Sequence, residues 1–163
     1  MSREEKNIAI EALSMEDWEE LGKAGNDQSA TISTRGISMW PLLRYKDDSI
    51  KVVYPNRELK IGDFVLCRKS DGRFIAHRII WLDESNIETL GDNLDKSDGR
   101  FPKSEVIGIV THVCRKGKLF SIDTKFWDNY GRFMIWSNPF RMFVRNKMYR
   151  PVRGCIRKIV KGK

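Results

Sequence analysis

Short apolar runs separated by polar turns dominate the middle of the chain. The runs are rich in Val, Ile, Phe and Trp and span residues 31–37, 49–54, 64–68, 74–82, 86–90 and 106–114. Turn-forming sequences such as Pro55-Asn56 and Lys116-Gly117 separate them. Many short strands joined by polar turns are typical of an antiparallel sheet. We therefore predict a mainly β fold with a coiled antiparallel β core.

The two ends of the chain have different patterns. Apolar residues recur at helical spacing over 3–23, which predicts an amphipathic N-terminal helix. Residues 119–163 interleave aromatic and methionine side chains with Lys and Arg, which predicts a helical extension. We divide the chain into an N-terminal helical extension (1–28), a β core (29–118) and a basic aromatic C-terminal extension (119–163).

Charge is unevenly distributed over the 163 residues, whose net charge is +8. Residues 1–24 hold seven acids and three bases, whereas residues 129–163 hold ten Lys/Arg and no acid. An aromatic, basic segment without acids is typical of a helix lying on an anionic membrane. The same pattern also fits a helix packed on the β core with a solvated basic face. A nucleic-acid-binding arm is the third interpretation, and we do not expect a nucleic-acid partner.

Cysteine and hydropathy patterns limit the compartment and the cofactors. Cys67, Cys114 and Cys155 are far apart, no CxxC occurs, and two histidines do not complete a zinc site at this spacing. We expect reduced thiols, no metal and no other cofactor. The N-terminus lacks an apolar signal core, and no window approaches the ~18 apolar residues of a membrane span. These patterns predict a cytoplasmic protein, with peripheral contact to a membrane.

Four short motifs follow one another along the predicted β core. They are GISMWP at 36–41, IGDFV at 61–65, AHRI at 76–79 and GDNLDKSD at 91–98. In type and order they resemble the conserved boxes of type I signal peptidases and the related repressor peptidases. The resemblance covers about residues 30–118 and is greatest to the enzymes that pair serine with histidine. It implies a signal-peptidase-like β core and a serine endopeptidase activity on leader or precursor peptides.

The resemblance also implies the catalytic residues. Serine is a weak nucleophile that needs a positioned base, and Ser38 occupies the nucleophile position. His77 occupies the base position, and histidine can exchange a proton near neutral pH. A carboxylate usually orients such a histidine, and Asp98 is the preferred candidate, with Asp92 as the other. Arg78 could pair with an acid of the 91–98 loop.

Each of these residues also has a plainer interpretation. His77 could be a strand histidine hydrogen-bonded to a neighbouring carbonyl. Asp92, Asp95 and Asp98 could form a turn cluster, although their spacing does not match a calcium loop. Two positions depart from the family pattern, because Gly36 replaces a hydroxyl residue that assists the oxyanion and Leu94 replaces an asparagine.

We therefore expect a signal-peptidase-like serine endopeptidase whose partners are a peptide or precursor-protein substrate and an anionic membrane or membrane exporter. The alternative is a catalytically silent relative that binds peptides or protein partners. A self-cleaving, DNA-binding repressor would need a helix-turn-helix, and the N-terminal segment offers only one predicted helix.

Overall fold

The computed structural model describes residues 29–34, 36–44 and 48–149, which form one antiparallel sheet of eight strands and a C-terminal helix. The bounds are β1 Ser29–Ser33, β2 Asp48–Val53, β3 Phe64–Arg68, β4 Phe74–Leu82, β5 Asn86–Leu90, β6 Arg100–Pro102, the 3-10 turn Lys103–Glu105, β7 Val106–Arg115, β8 Lys118–Ser121 and α1 Lys125–Val144. A 3-10 turn precedes β7, and a π-helical turn, Arg145–Tyr149, follows the helix α1. The neighbour order of the strands is β1-β2-β7-β3-β4-β5-β6, and β8 pairs with β7.

The predicted mainly β class is confirmed, and several strand bounds agree with the sequence pattern. The bounds of β3, β4 and β5 are those predicted. β1 ends at Ser33 and not at residue 37, because the chain turns near Gly36, whose φ is +104°. The short strands β6 and β8 were not predicted. The N-terminal helix predicted at 3–23, Cys155 and the end of the C-terminal extension lie outside the described residues.

The sheet carries a hydrophobic cluster on each of its faces. Alternate residues of β3 belong to different clusters, because successive side chains of a strand point to opposite faces. Phe64 and Leu66 join one cluster, and Val65 and Cys67 join the other. The central strand is therefore buried on both sides, and its registry is well determined.

The turn that follows β1 is anchored in the first of these clusters. Met39, Leu42 and Leu43 are each at most 5% exposed and pack with β2, β3 and β7. Trp40 and Pro41 are exposed, and the peptide bond between them is cis. Burial of three apolar side chains holds the backbone of the turn on the sheet and leaves Ser38 at its half-buried outer side.

Helix α1 packs against the same part of the core along one face. Its buried positions include Met134 and Met142, and Trp127 and Tyr130 contact the first cluster. A Cβ at Gly131 would lie 2.9 Å from the carbonyl oxygen of Gly62, so glycine permits the close approach of helix and loop. No helix in the described part of the chain is long and apolar enough to cross a bilayer.

Candidate active site

A histidine and an aspartate meet at the inner end of the candidate site. His77 lies on β4 opposite Val65 of β3 and is only 8% exposed. Its Nδ1 is 2.7 Å from Oδ2 of Asp98, and the Thr89 hydroxyl donates to the same oxygen at 2.6 Å. Thr89 lies on the neighbouring strand β5 and is fully buried. Two adjacent strands therefore fix the carboxylate that contacts the imidazole.

Electrostatics keep Asp98 ionised at neutral pH. Burial by itself raises the pKa of Asp98, but the hydrogen bonds from His77 and Thr89 outweigh it and leave that pKa below its ordinary value. An ionised carboxylate only accepts hydrogen bonds, so Nδ1 of His77 carries the proton in this contact. With the proton on Nδ1, the uncharged form of the ring has its lone pair on Nε2, which is the atom a general base would use.

Ser38 and His77 line the same pocket. It encloses about 230 Å³ between β1, the turn after it and the first residues of β4. Apolar side chains form much of its wall, and they are Ile32, Met39, Leu43, Ile50, Leu66 and Ala76. An apolar pocket with a few convergent polar groups is typical of a site that binds a ligand or substrate. No direct hydrogen bond joins the Ser38 hydroxyl to His77 in the described residues.

The loop that carries Asp92 and Asn93 hydrogen-bonds to the backbone of the turn that contains Ser38. The backbone N–H of Asn93 donates to the Ser38 carbonyl at 2.7 Å, and its side-chain amide donates to the Ile37 carbonyl at 3.0 Å. A Cβ at Gly91 would lie 2.9 Å from the Ser38 carbonyl oxygen, so only glycine permits this approach. The Gly-Asp-Asn segment thus determines where the Ser38 backbone lies.

Asp92 contacts Arg78 and not His77, which is the residue it would contact if it oriented the proposed catalytic histidine. Arg78 donates to both of its carboxylate oxygens at 2.8 Å, and both side chains are at most 4% exposed. Arg78 also donates to the Gly62 carbonyl and lies near the Tyr130 ring. The predicted pairing of Arg78 with an acid of this loop is therefore confirmed. Asp92 faces Arg78, and Asp98 faces His77, so the two aspartates have separate surroundings.

Three side chains near the C-terminal end of α1 hold the same loop. Asn138 donates to the carbonyl of Leu94 at 3.0 Å, and Arg141 donates to that of Asp92 at 2.7 Å. Arg145 donates to the carbonyl of Asn93. Helix residues at 138, 141 and 145 share one face because they are three and four positions apart. The C-terminal extension is in this way part of the structure that supports the candidate site.

The structure brings Ser38, His77 and Asp98 to one site and places Asp92 behind it. Sequence reasoning missed Thr89, the amide of Asn93 and the three helix donors. A polar residue at an inward position of a strand was the available signal for Thr89. Nothing in the sequence indicated which loop the helix would contact.

The two described cysteines are free thiols outside this constellation. Cys67 is fully buried, and burial raises its pKa to about 12, so it stays protonated and unreactive at neutral pH. Among the described residues, no three His, Cys, Asp or Glu side chains converge as a set of metal ligands.

Comparison of the chain with protein-family models and with curated proteins gives no match in either case.

Proposed function

We propose that this chain is a serine endopeptidase of the signal-peptidase-like kind, acting on a leader or precursor peptide. The observation that carries the proposal is that Ser38 and His77 line one pocket while Asp98 holds the imidazole of His77. Asp98 contacts Nδ1 of His77, and His77 and Ser38 line the same pocket. A serine, a histidine and an oriented carboxylate are the groups that acyl transfer needs.

In the proposed reaction the Ser38 hydroxyl oxygen attacks the scissile carbonyl carbon while Nε2 of His77 accepts its proton. The carbon–nitrogen bond then breaks, and His77 passes the proton to the departing amine. Water, deprotonated by the same nitrogen, attacks the acyl-enzyme ester and releases the second product with Ser38 restored. Asp98 keeps the Nδ1 proton in place and stabilises the imidazolium that forms in each half of the reaction.

Substrate would bind as an extended strand along β1. Among the described strands β1 pairs only with β2, so its second edge is open to a peptide backbone. The open edge runs towards the turn that carries Ser38, and Ile32 and Thr34 line the pocket beside it. A peptide side chain next to the cleaved bond would enter that pocket. The backbone N–H of Ser38 is the first candidate donor to the oxyanion.

Covalent labelling of the full chain with a fluorophosphonate probe tests the proposal. Mass spectrometry should find one adduct, on Ser38, and a Ser38→Ala variant should form none. His77→Ala should lower the labelling rate by about 10²–10⁴, the usual contribution of a general base. His112→Ala is the matched control, because His112 lies on β7 beside Thr111 and outside the pocket, and it should label at the wild-type rate. Labelling of Ser38 that is insensitive to His77→Ala would refute the mechanism.

The second candidate function is peptide binding without catalysis. It is favoured by the missing hydrogen bond between Ser38 and His77, although such contacts are often long in enzymes without substrate. A randomised library of extended peptides separates the two functions. Cleavage that requires Ser38 supports the peptidase, whereas peptide retention without cleavage or labelling would establish the binding protein.

A further inference from the structure

Five large aromatic side chains of α1 are exposed on the face that does not contact the sheet. They form what we call the outer stripe. Their exposed fractions are 70% for Phe126, 55% for Phe133, 79% for Trp136, 72% for Phe140 and 58% for Phe143. No other element among the described residues exposes so many aromatic rings.

The outer stripe is continuous along the helix. Residues 133, 136, 140 and 143 are three or four positions apart, and residue 126 is seven before the first of them, so all five share one face. Buried residues, including Met134, Asn138 and Met142, occupy the opposite face and fix the rotation of the helix. Together the rings leave on the order of 600 Å² of aromatic surface in water, as much as the largest patch of a typical monomer.

Cations outnumber acids along and after the outer stripe, where Asp128, paired with Lys60, is the one acid. Asp128 is the last acid of the chain, and ten Lys/Arg follow it. Arg141 and Arg145 donate hydrogen bonds to carbonyls of the 91–95 loop, so these two side chains are engaged in contacts within the protein. Arg132 and Lys147 are exposed, and six further Lys/Arg occur between 150 and 163. The positive charge of this segment therefore favours binding to an anionic surface.

We propose that the outer stripe docks on the surface of an anionic lipid bilayer. The aromatic rings would lie at the level of the headgroups and upper acyl chains, and the flanking cations would contact lipid phosphate. A second copy of this chain is a less favourable partner for the stripe. Pairing two stripes would bring two acid-free basic segments together, and these segments repel each other. The proposal concerns a surface separate from Ser38 and does not depend on peptidase activity.

Vesicle co-sedimentation of the full chain tests this docking. Vesicles of phosphatidylcholine alone are compared with vesicles that also contain phosphatidylserine, at low and at moderate salt. Binding should be at least about tenfold stronger to the anionic vesicles and should weaken with salt. A Trp136→Ser/Phe140→Ser double variant should bind at least about tenfold more weakly, because it removes two inserted rings. Leu119→Ser, which changes an apolar residue of β8 that is 52% exposed, should bind like wild type.

Fluorescence supplies a second measurement that does not depend on the double variant folding. Brominated phospholipid should quench the wild-type tryptophan emission, and Trp136→Phe should keep vesicle binding while losing most of that quenching. Ser38→Ala should bind vesicles as wild type does, so a failed peptidase test leaves this result unaffected.

Four results would overturn the proposal, the last of them binding to nucleic acid. The first is equal binding to neutral and anionic vesicles, and the second is wild-type binding by the double variant. The third is self-association of the wild-type chain without lipid that the double variant abolishes, which would assign the stripe to a second copy. Salt-sensitive binding to an oligonucleotide with no binding to vesicles would assign the basic segment to nucleic acid.

Discussion

Replacing Asp92 by asparagine tests whether this residue stabilises the fold, in contrast to Asp98, for which we expect a catalytic role. In the native protein Asp92 accepts two hydrogen bonds from Arg78, both at 2.8 Å, where neither side chain reaches solvent. Asparagine keeps the shape of the side chain but removes its charge and one acceptor. Arg78 would remain buried as a cation with its bond to the Gly62 carbonyl and one bond to residue 92.

The expected cost follows from these contacts. Breaking a buried ion pair from one side costs about 3–5 kcal/mol, because the remaining charge is left without its partner. The amide oxygen of the new asparagine and the Gly62 carbonyl would still accept hydrogen bonds from Arg78. We therefore expect the cost of Asp92→Asn to lie near the lower end of this range, at about 3 kcal/mol. For a chain of this length that corresponds to a melting temperature lower by roughly 6–12 °C.

Urea unfolding followed by tryptophan fluorescence measures this difference. Asp71→Asn is the matched control, because Asp71 also pairs with an arginine, Arg73, but at an exposed position. It should leave the unfolding midpoint unchanged. Well below its own melting temperature, Asp92→Asn should retain Ser38 labelling, whereas Asp98→Asn should lose labelling with a smaller loss of stability. An Asp92→Asn protein that is as stable as wild type but unreactive would refute this division of roles.

Two further predictions concern pH and the serine turn. The pKa of Asp98 is lowered in the fold, so its stabilising contribution is complete above the unfolded aspartate value of about 3.9 and is lost as pH falls through the folded value. The difference in unfolding free energy between wild type and Asp98→Asn should therefore persist from pH 7 to about 4 and shrink below it; a difference already lost near pH 6 would contradict this sign. Gly91→Ala should displace the Ser38 carbonyl and slow fluorophosphonate labelling by about tenfold or more, the effect of a small misplacement, whereas Asp71→Asn should not; an unchanged rate would contradict the role of the loop.

Periodicity was sufficient for the strands that bury apolar side chains. β3, β4 and β5 are each five residues or longer and have clear polar boundaries, so their ends could be read from the sequence. β6 contains only three residues, one of them a proline, and β8 has four residues that are exposed or half-buried. Too few side chains of these two strands are buried to leave a pattern. Their pairing depends on backbone hydrogen bonds with neighbouring strands, which composition does not encode.

The candidate site was predictable where a residue's role follows from its type. A histidine base needs an oriented ring, and the resemblance of residues 91–98 to the family's Gly-Asp-Asn box indicated where the acid lies. Which aspartate contacts His77 depends on how the loop returns to β5, and the sequence left Asp98 and Asp92 open. Arg141 and Arg145 were interpreted only as cations of a basic extension. Their contacts with the loop carbonyls arise from the docking of α1, which is a long-range property of the fold.

The hydrogen bonds between α1 and the loop also bear on when the site forms during synthesis. Asn138, Arg141 and Arg145 come 44 to 52 residues after the carbonyls that they bind. Ser38, His77 and Asp98 are therefore all synthesised before the side chains that hold the Asp92–Leu94 loop. A nascent chain that ends between residues 98 and 138 carries every proposed catalytic residue without the helix contacts that hold the loop behind the serine turn. Completion of the candidate site is in this way tied to completion of the helix, and we expect incomplete chains to lack the proposed peptidase activity.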